Sequence, residues 1–207
     1  MMIPSPNRTM RLMQRRAVLM PLLLAGCGLA ERPYVERRQW PLMVARPGAL
    51  PVRPGGKVLE VRTVRAGPGL DARGFQALGA DGSIATEFYE EWSVPPAHGV
   101  EEAVRTWLGG AGLFAAVLAP GSRLSPDYVI EGDLGALWTE PAAGVAHAAL
   151  GVTLIAMQGE QPRVAIQRRY RETAALVGTG PAVAAQGMTA ALALVLARLE
   201  ADVRRAV

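Results

Sequence analysis

The chain has 207 residues, 50% of them hydrophobic and 5% aromatic, with 22 basic and 18 acidic side chains. That is enough apolar material for one domain with a core of its own, and it excludes a disordered charged-tail protein. The net charge of +4 is misleading, because residues 1–26 hold Arg8, Arg11, Arg15 and Arg16 and no acid; 22 less 4 leaves 18 basic against 18 acidic residues in the remainder. A nucleic-acid-binding role loses its main support with that balance. Lys57 is the only lysine and Cys27 the only cysteine, so neither a set of amines nor an intramolecular disulfide is available.

Arg15-Arg16 run into the apolar stretch Ala17–Leu24, followed by Ala25-Gly26-Cys27. A positive segment, a short apolar run and small residues describe a secretory signal over residues 1–26. The apolar run is far shorter than the roughly 20 residues that cross a bilayer. Leu24-Ala25-Gly26-Cys27 resembles the lipobox of bacterial lipoproteins. That resemblance implies cleavage before Cys27, lipid attachment at its thiol and acylation of the new amino group. Small side chains at Ala25 and Gly26 suit a narrow protease site beside the membrane. Several acyl chains, at about 0.8 kcal/mol per buried methylene, make release from a membrane negligible. Gly28, where an aspartate would signal retention, implies sorting to the outer membrane with the domain facing the periplasm. Arg15-Arg16-Ala17-Val18-Leu19 also partly matches a twin-arginine signal, which leaves the export route open.

Residues 27–56 read as a lipidated tether with an edge strand over Trp40–Val44 and a Pro/Gly-rich loop; a domain over 57–207 follows. Val58–Val64 alternates as a first core strand. Phe75–Gly79 and Ile84–Trp92 form a hairpin around Asp81-Gly82, with Ile84, Phe88 and Trp92 sharing a face. Val100, Val104, Trp107, Leu108 and Ala111 recur at helical spacing, closed by Gly109-Gly110 and Gly112. Leu113–Leu118 reads as a short buried strand. Tyr128, Ile130, Leu134 and Trp138 alternate with Glu131 and Asp133 along another. Ala146–Met157 and Val164–Val177 are two long strands. Met188, Ala191, Leu192, Val195, Leu196, Leu199 and Val203 form the stripe of a long packing helix, with Arg204-Arg205 suiting its C-terminus. The composite is α/β, a mixed sheet with two main helices.

No catalytic constellation emerges. His98 and His147 are isolated, and HExxH, CxxC and GxSxG are absent. Lys57 follows Gly55-Gly56 but lacks the rest of a phosphate loop, and Gly109-Gly110-Ala111-Gly112 follows a helix where a dinucleotide fingerprint needs a strand. Glu90 and Glu91 are adjacent on a strand and point to opposite faces, which keeps them from acting as an acid/base pair. Arg168, Arg169 and Arg171 form a small basic cluster, a solvated face or a contact for lipid headgroups or an acidic partner. No enzyme activity, metal or cofactor is expected.

Tyr89-Glu90-Glu91-Trp92 with Pro95, Gly112-Leu113-Phe114-Ala115-Ala116-Val117, Pro120-Gly121-Ser122-Arg123-Leu124 and Asp127-Tyr128-Val129-Ile130-Glu131-Gly132 together resemble the auxiliary lipoprotein family of ABC-type transporters. The resemblance covers about 80 residues, from Val58 to Glu140. Leu70–Phe75 matches the family pattern only loosely, and Val164–Tyr170 lacks a tryptophan common there. The family implies a three-layer α/β domain similar to the TolB N-terminal domain. It also implies a non-catalytic subunit of a lipid transport system built on mammalian-cell-entry (MCE) domains, associated with membrane integrity. Its partners would be the MCE-domain periplasmic subunit, the outer membrane through acyl chains on Cys27, and phospholipid as a further ligand. A lipid- or glycolipid-binding assembly lipoprotein that carries cargo itself is the alternative, and a periplasmic hydrolase a third. The motif residues are spaced as core and turn positions, and so specify the fold before any binding site.

Overall fold

A computed structural model describes residues 35–52 and 55–207, and Glu36–Val207 forms one compact unit. The signal, Cys27 and the first part of the tether lie outside the described residues. The elements are β1 (Arg38–Trp40), β2 (Val58–Ala66), β3 (Gly74–Leu78), β4 (Ile84–Trp92), α1 (Pro96–Gly109), β5 (Ala116–Leu118), β6 (Tyr128–Glu140), β7 (Val145–Ala156), β8 (Arg163–Ala175) and α2 (Pro181–Ala206).

All eight strands belong to one mixed sheet, with β6 at its centre. Strand β7 pairs antiparallel with β6 along its whole length, and β8 follows as the outer strand. The other edge of β6 is shared: β2 runs parallel to Tyr128–Leu134, and Ala77 of β3 pairs with Thr139 further on. Strands β4 and β1 continue outward from β3, and β5 flanks β2. The sequence supports this at each turn. Asp81 accepts hydrogen bonds from the Ser83 amide and hydroxyl, and Gly82 supplies the positive φ of 82° that closes the β3–β4 hairpin. Pro96 opens α1 and Pro181 opens α2, where a missing amide hydrogen costs nothing.

The alternating residues Ala146, Ala148, Leu150, Val152 and Leu154 of β7, with Ile130, Leu134 and Leu137 of β6 and Leu59, Val61 and Val64 of β2, face both helices. The expected α2 stripe is wholly buried against them, and α1 contributes Val100, Val104, Trp107 and Leu108. The expected α/β class with a mixed sheet and two helices is therefore what forms. The layering differs from the expected three: both helices pack on the same face, so the described residues make two layers. The opposite face carries Glu60, Glu131, Asp133, His147, Thr153, Arg169 and Arg171, and side chains of that kind remain in solvent without a covering layer.

Four local expectations change, two of them through bulges. Gly74 pairs with Glu91 but Gln76 with Thr86, so Glu87, Phe88, Tyr89 and Glu90 lie opposite the single residue Phe75. This breaks the expected shared face: Trp92 is buried against Phe75, while Ile84 is exposed and Phe88 is 63% exposed. Likewise Leu134 pairs with Leu150 and Ala136 with Ala149, leaving Gly135 as the extra residue. Trp138 is thereby moved off the Leu134 face to stand across from His147 on the open side. At the edges, β1 ends at Trp40 because Pro41 cannot donate to the ladder, and only Ala116–Leu118 of the Leu113–Leu118 segment pairs as strand.

Gly187 marks the close approach of α2 to the sheet. A Cβ there would lie 2.5 Å from Leu176 Cδ2 and 3.1 Å from the Ala146 methyl. Gly187→Val is expected to lower stability by about 1–3 kcal/mol through overpacking, read as a fall in thermal midpoint.

Candidate docking surface

The histidines and the lone lysine are dispersed. His98 is exposed on α1, and Lys57 is exposed just before β2. His147 Nε2 lies 2.8 Å from Glu140 Oε2, with its ring 6.4 Å from that of Trp138. No group of three His, Cys, Asp or Glu side chains among the described residues is placed to hold a metal ion.

Glu90 and Glu91 are both buried and are separately engaged. Arg38 Nε and Trp40 Nε1 each donate to Glu90 at 2.8 Å; Gln39 Nε2 donates to Glu91 at 3.0 Å, and Arg73 Nη2 to the same carboxylate at 2.8 Å. Five of these side chains, three from β1 and two from β4, thus clamp β1 onto β4, where it is paired by only three residues, and Arg73 joins from the loop before β3. Sequence reading kept the two carboxylates apart, but had no signal for their partners. Those partners lie some 50 positions away, except Arg73.

The other motif residues are similarly structural. Asp127 Oδ2 accepts from the Val58 amide at 2.7 Å, fixing the start of β2 against β6, and its side chain also meets Gln158. The Val58 amide above all, with the Gln158 side chain and Lys57, holds the Asp127 carboxyl below the ordinary range against the opposing effect of burial. Phe114 packs edge-on to Tyr128 at 6.2 Å. Leu124, in contrast, is exposed in the loop before β6.

Glu200 is an unforeseen junction. It receives Arg46 Nε and Nη2 at 2.9 and 3.0 Å, Trp107 Nε1 at 2.8 Å and Arg204 Nη2 at 2.8 Å. The segment after β1, α1 and α2 therefore meet at one carboxylate. Hydrogen bonding to Arg46 is the largest influence and, with Arg204 and Trp107, outweighs burial to lower its pKa to about 2.

Two surfaces remain unabsorbed by the core. On the β4 bulge, Phe88 and Tyr89 stack edge-to-face at 5.0 Å in solvent, and the Arg37 guanidinium sits 4.1 Å over the Phe88 ring. On the open sheet face, small residues Ala136 and Ala149 leave a hollow of about 390 Å³ between Trp138 and His147 on one side and Arg169 and Arg171 on the other. The basic cluster expected on β8 is split by the pleat. Arg168 turns to the helix side and pairs with Asp202 at 2.7 Å, while Arg169 and Arg171 face the hollow.

No protein-family model matches the chain, and no curated protein matches it in sequence. Solved structures do match. Protein XCC0632 from Xanthomonas campestris, of the DUF330 family, superposes with a TM-score of 0.66 at 20% identity, over 78% of this chain and 92% of that one. A structure described as an uncharacterized protein gives 0.61 at 13% identity, over 75% and 95%. The hypothetical protein CT253 from Chlamydia trachomatis gives 0.50 at 10%, over 72% and 98%. At these identities the likeness is one of fold: the chain shares the α/β architecture of these proteins.

Proposed function

We propose that the protein is a lipid-anchored, non-catalytic auxiliary subunit of an ABC/MCE-type intermembrane lipid transport system, held on the periplasmic face of the outer membrane. The observation that carries this reading is Leu24-Ala25-Gly26-Cys27-Gly28 at the end of a basic and apolar leader, ahead of a folded α/β unit. Its mechanism is anchoring. Acyl chains on Cys27 fix one end of the chain in a membrane, and the domain docks an assembly rooted in the other. The exposed Phe88–Tyr89 pair and the uncovered sheet face offer surface for such contact, since exposed aromatics clustered near arginine are what protein interfaces use.

Cys27→Ser is expected to leave a folded protein that loses membrane association and in vivo function together. Fatty-acid labelling is the direct check: label retained on the serine variant contradicts lipid attachment at Cys27. Docking is tested by capture of the MCE-domain subunit on the immobilised Cys27→Ser protein, followed by lipid extraction and mass spectrometry. Binding of that subunit without co-purified lipid supports the docking subunit. Stoichiometric phospholipid with no binding to the subunit favours the cargo-carrying alternative.

A further inference from the structure

We infer that the hollow on the open face of the sheet binds the phosphodiester headgroup of an anionic phospholipid, through Arg171, Arg169 and the indole N–H of Trp138. The register builds the site. Trp138 stands across from His147 and His147 across from Thr173, one rung of the outer face; Ala136, Ala149 and Arg171 form the next, and Gly151 with Arg169 lies beyond. The methyl groups of Ala136 and Ala149, with Gly135 beside them, floor a depression that larger side chains rim, while the Asp133 carboxylate lies over Gly151.

Trp138 Nε1 is buried and has no hydrogen-bond partner. A buried indole N–H without an acceptor costs about 1–3 kcal/mol, so an acceptor oxygen brought there by a ligand recovers that loss. Of the acids around the hollow, Asp133 lies 3.3 Å from Arg169 and Glu140 2.8 Å from His147, while Glu172, opposite Ala148 on the helix side, is 2.6 Å from Arg198 of α2 with its Oε1 buried and outside any hydrogen bond. Among the described residues Arg171 makes no ion pair, and it is exposed at the rim. Residues 169 and 171 are two apart on a strand, so their stems stand about 7 Å apart on one face. Two guanidinium groups at that spacing, with Trp138 across the hollow from them, suit a tetrahedral oxyanion with oxygens in several directions. The methyl floor suits an apolar body attached to it. The volume of about 390 Å³ lies at the small end of ligand sites, enough for a headgroup and too little for a whole diacyl lipid.

The choice of a lipid as source rests on the anchoring reading, since acylation at Cys27 would keep the domain beside headgroups; the charge and donor pattern does not depend on it. The test uses the full acylated chain in dodecyl maltoside micelles doped with phosphatidylglycerol or phosphatidylcholine, following tryptophan fluorescence. Phosphatidylglycerol is expected to give a saturable change that phosphatidylcholine does not. Arg171→Gln should weaken it at least tenfold, and Trp138→Phe should abolish the signal. Arg163→Gln, on the same strand, should leave it unchanged. An equal response to inorganic phosphate overturns the lipid assignment, and a response indifferent to Arg171→Gln overturns the site. Because the micelle presents lipid whether or not Cys27 is acylated, loss of the anchoring reading would not by itself silence this assay.

Discussion

Trp107→Ala and Phe114→Ala should each lower the free energy of unfolding by about 3–5 kcal/mol, the range for truncating a buried aromatic side chain. Trp107 is 3% exposed and Phe114 2%. For Trp107 the loss has two parts. The cavity opens beside Val104, Leu108 and the α2 stripe, and Glu200 loses the indole donor 2.8 Å away. Trp107→Phe separates them: it keeps most of the volume and forfeits the hydrogen bond, which to a charged acceptor is worth about 1.5–3 kcal/mol. Phe114→Ala removes the ring from Tyr128 at the point where the chain leaves α1 for β5. Urea titration decides both. An unchanged midpoint for Phe114→Ala would mean the ring is not part of the core, and would make its motif an interface.

How much of this could be read beforehand depended on how local the determinants are. The α2 stripe was legible because seven apolar residues repeat at helical spacing and each is buried where the repeat puts it. The β3–β4 turn was legible because Asp81-Gly82 suits one kind of turn. What escaped was anything depending on an extra residue in a ladder. Neither Gly135 nor the Glu87–Glu90 stretch announces a bulge, yet each decides which face Trp138 or Trp92 occupies. The layer count escaped for a related reason. Glu131 and Asp133 alternate with Ile130 and Leu134 as on any half-buried strand, and only the placement of both helices on one face shows that they line an uncovered surface. The hollow itself needs three strands in register, Trp138 of β6 beside His147 of β7 and Arg171 of β8. No spacing in a single sequence encodes that juxtaposition. The proposed lipid attachment at Cys27 is the opposite case, since its signal is the four consecutive residues Leu24-Ala25-Gly26-Cys27 and needs no tertiary structure.

Replacing Glu200 should be comparably costly, and its signature is a pH dependence that cavity variants lack. The carboxylate is 12% exposed and its partner Arg46 14%, so Glu200→Ala leaves a largely buried guanidinium and the Trp107 N–H without an acceptor. Removing one member of a buried ion pair costs about 3–5 kcal/mol. The pH effect follows from the pKa near 2, against an ordinary value of 4.5. Because the folded state holds this carboxyl ionised more strongly than the unfolded chain does, the stability it supplies is complete above about pH 5. It declines as pH falls from 4.5 and is gone once the folded group itself protonates near 2. Allowing for partial solvent screening, the amount at neutral pH is about 2 kcal/mol. Glu200→Gln keeps the shape and some hydrogen bonding but cannot ionise. Its unfolding free energy should therefore fall short of the wild type at pH 7 and approach it at pH 2.5, whereas Phe114→Ala should show a nearly constant deficit over the same range. Parallel urea curves at pH 7, 4.5 and 2.5 make the comparison. A Glu200→Gln deficit that stays constant with pH would show that Arg46, Trp107 and Arg204 do not hold the carboxylate as described.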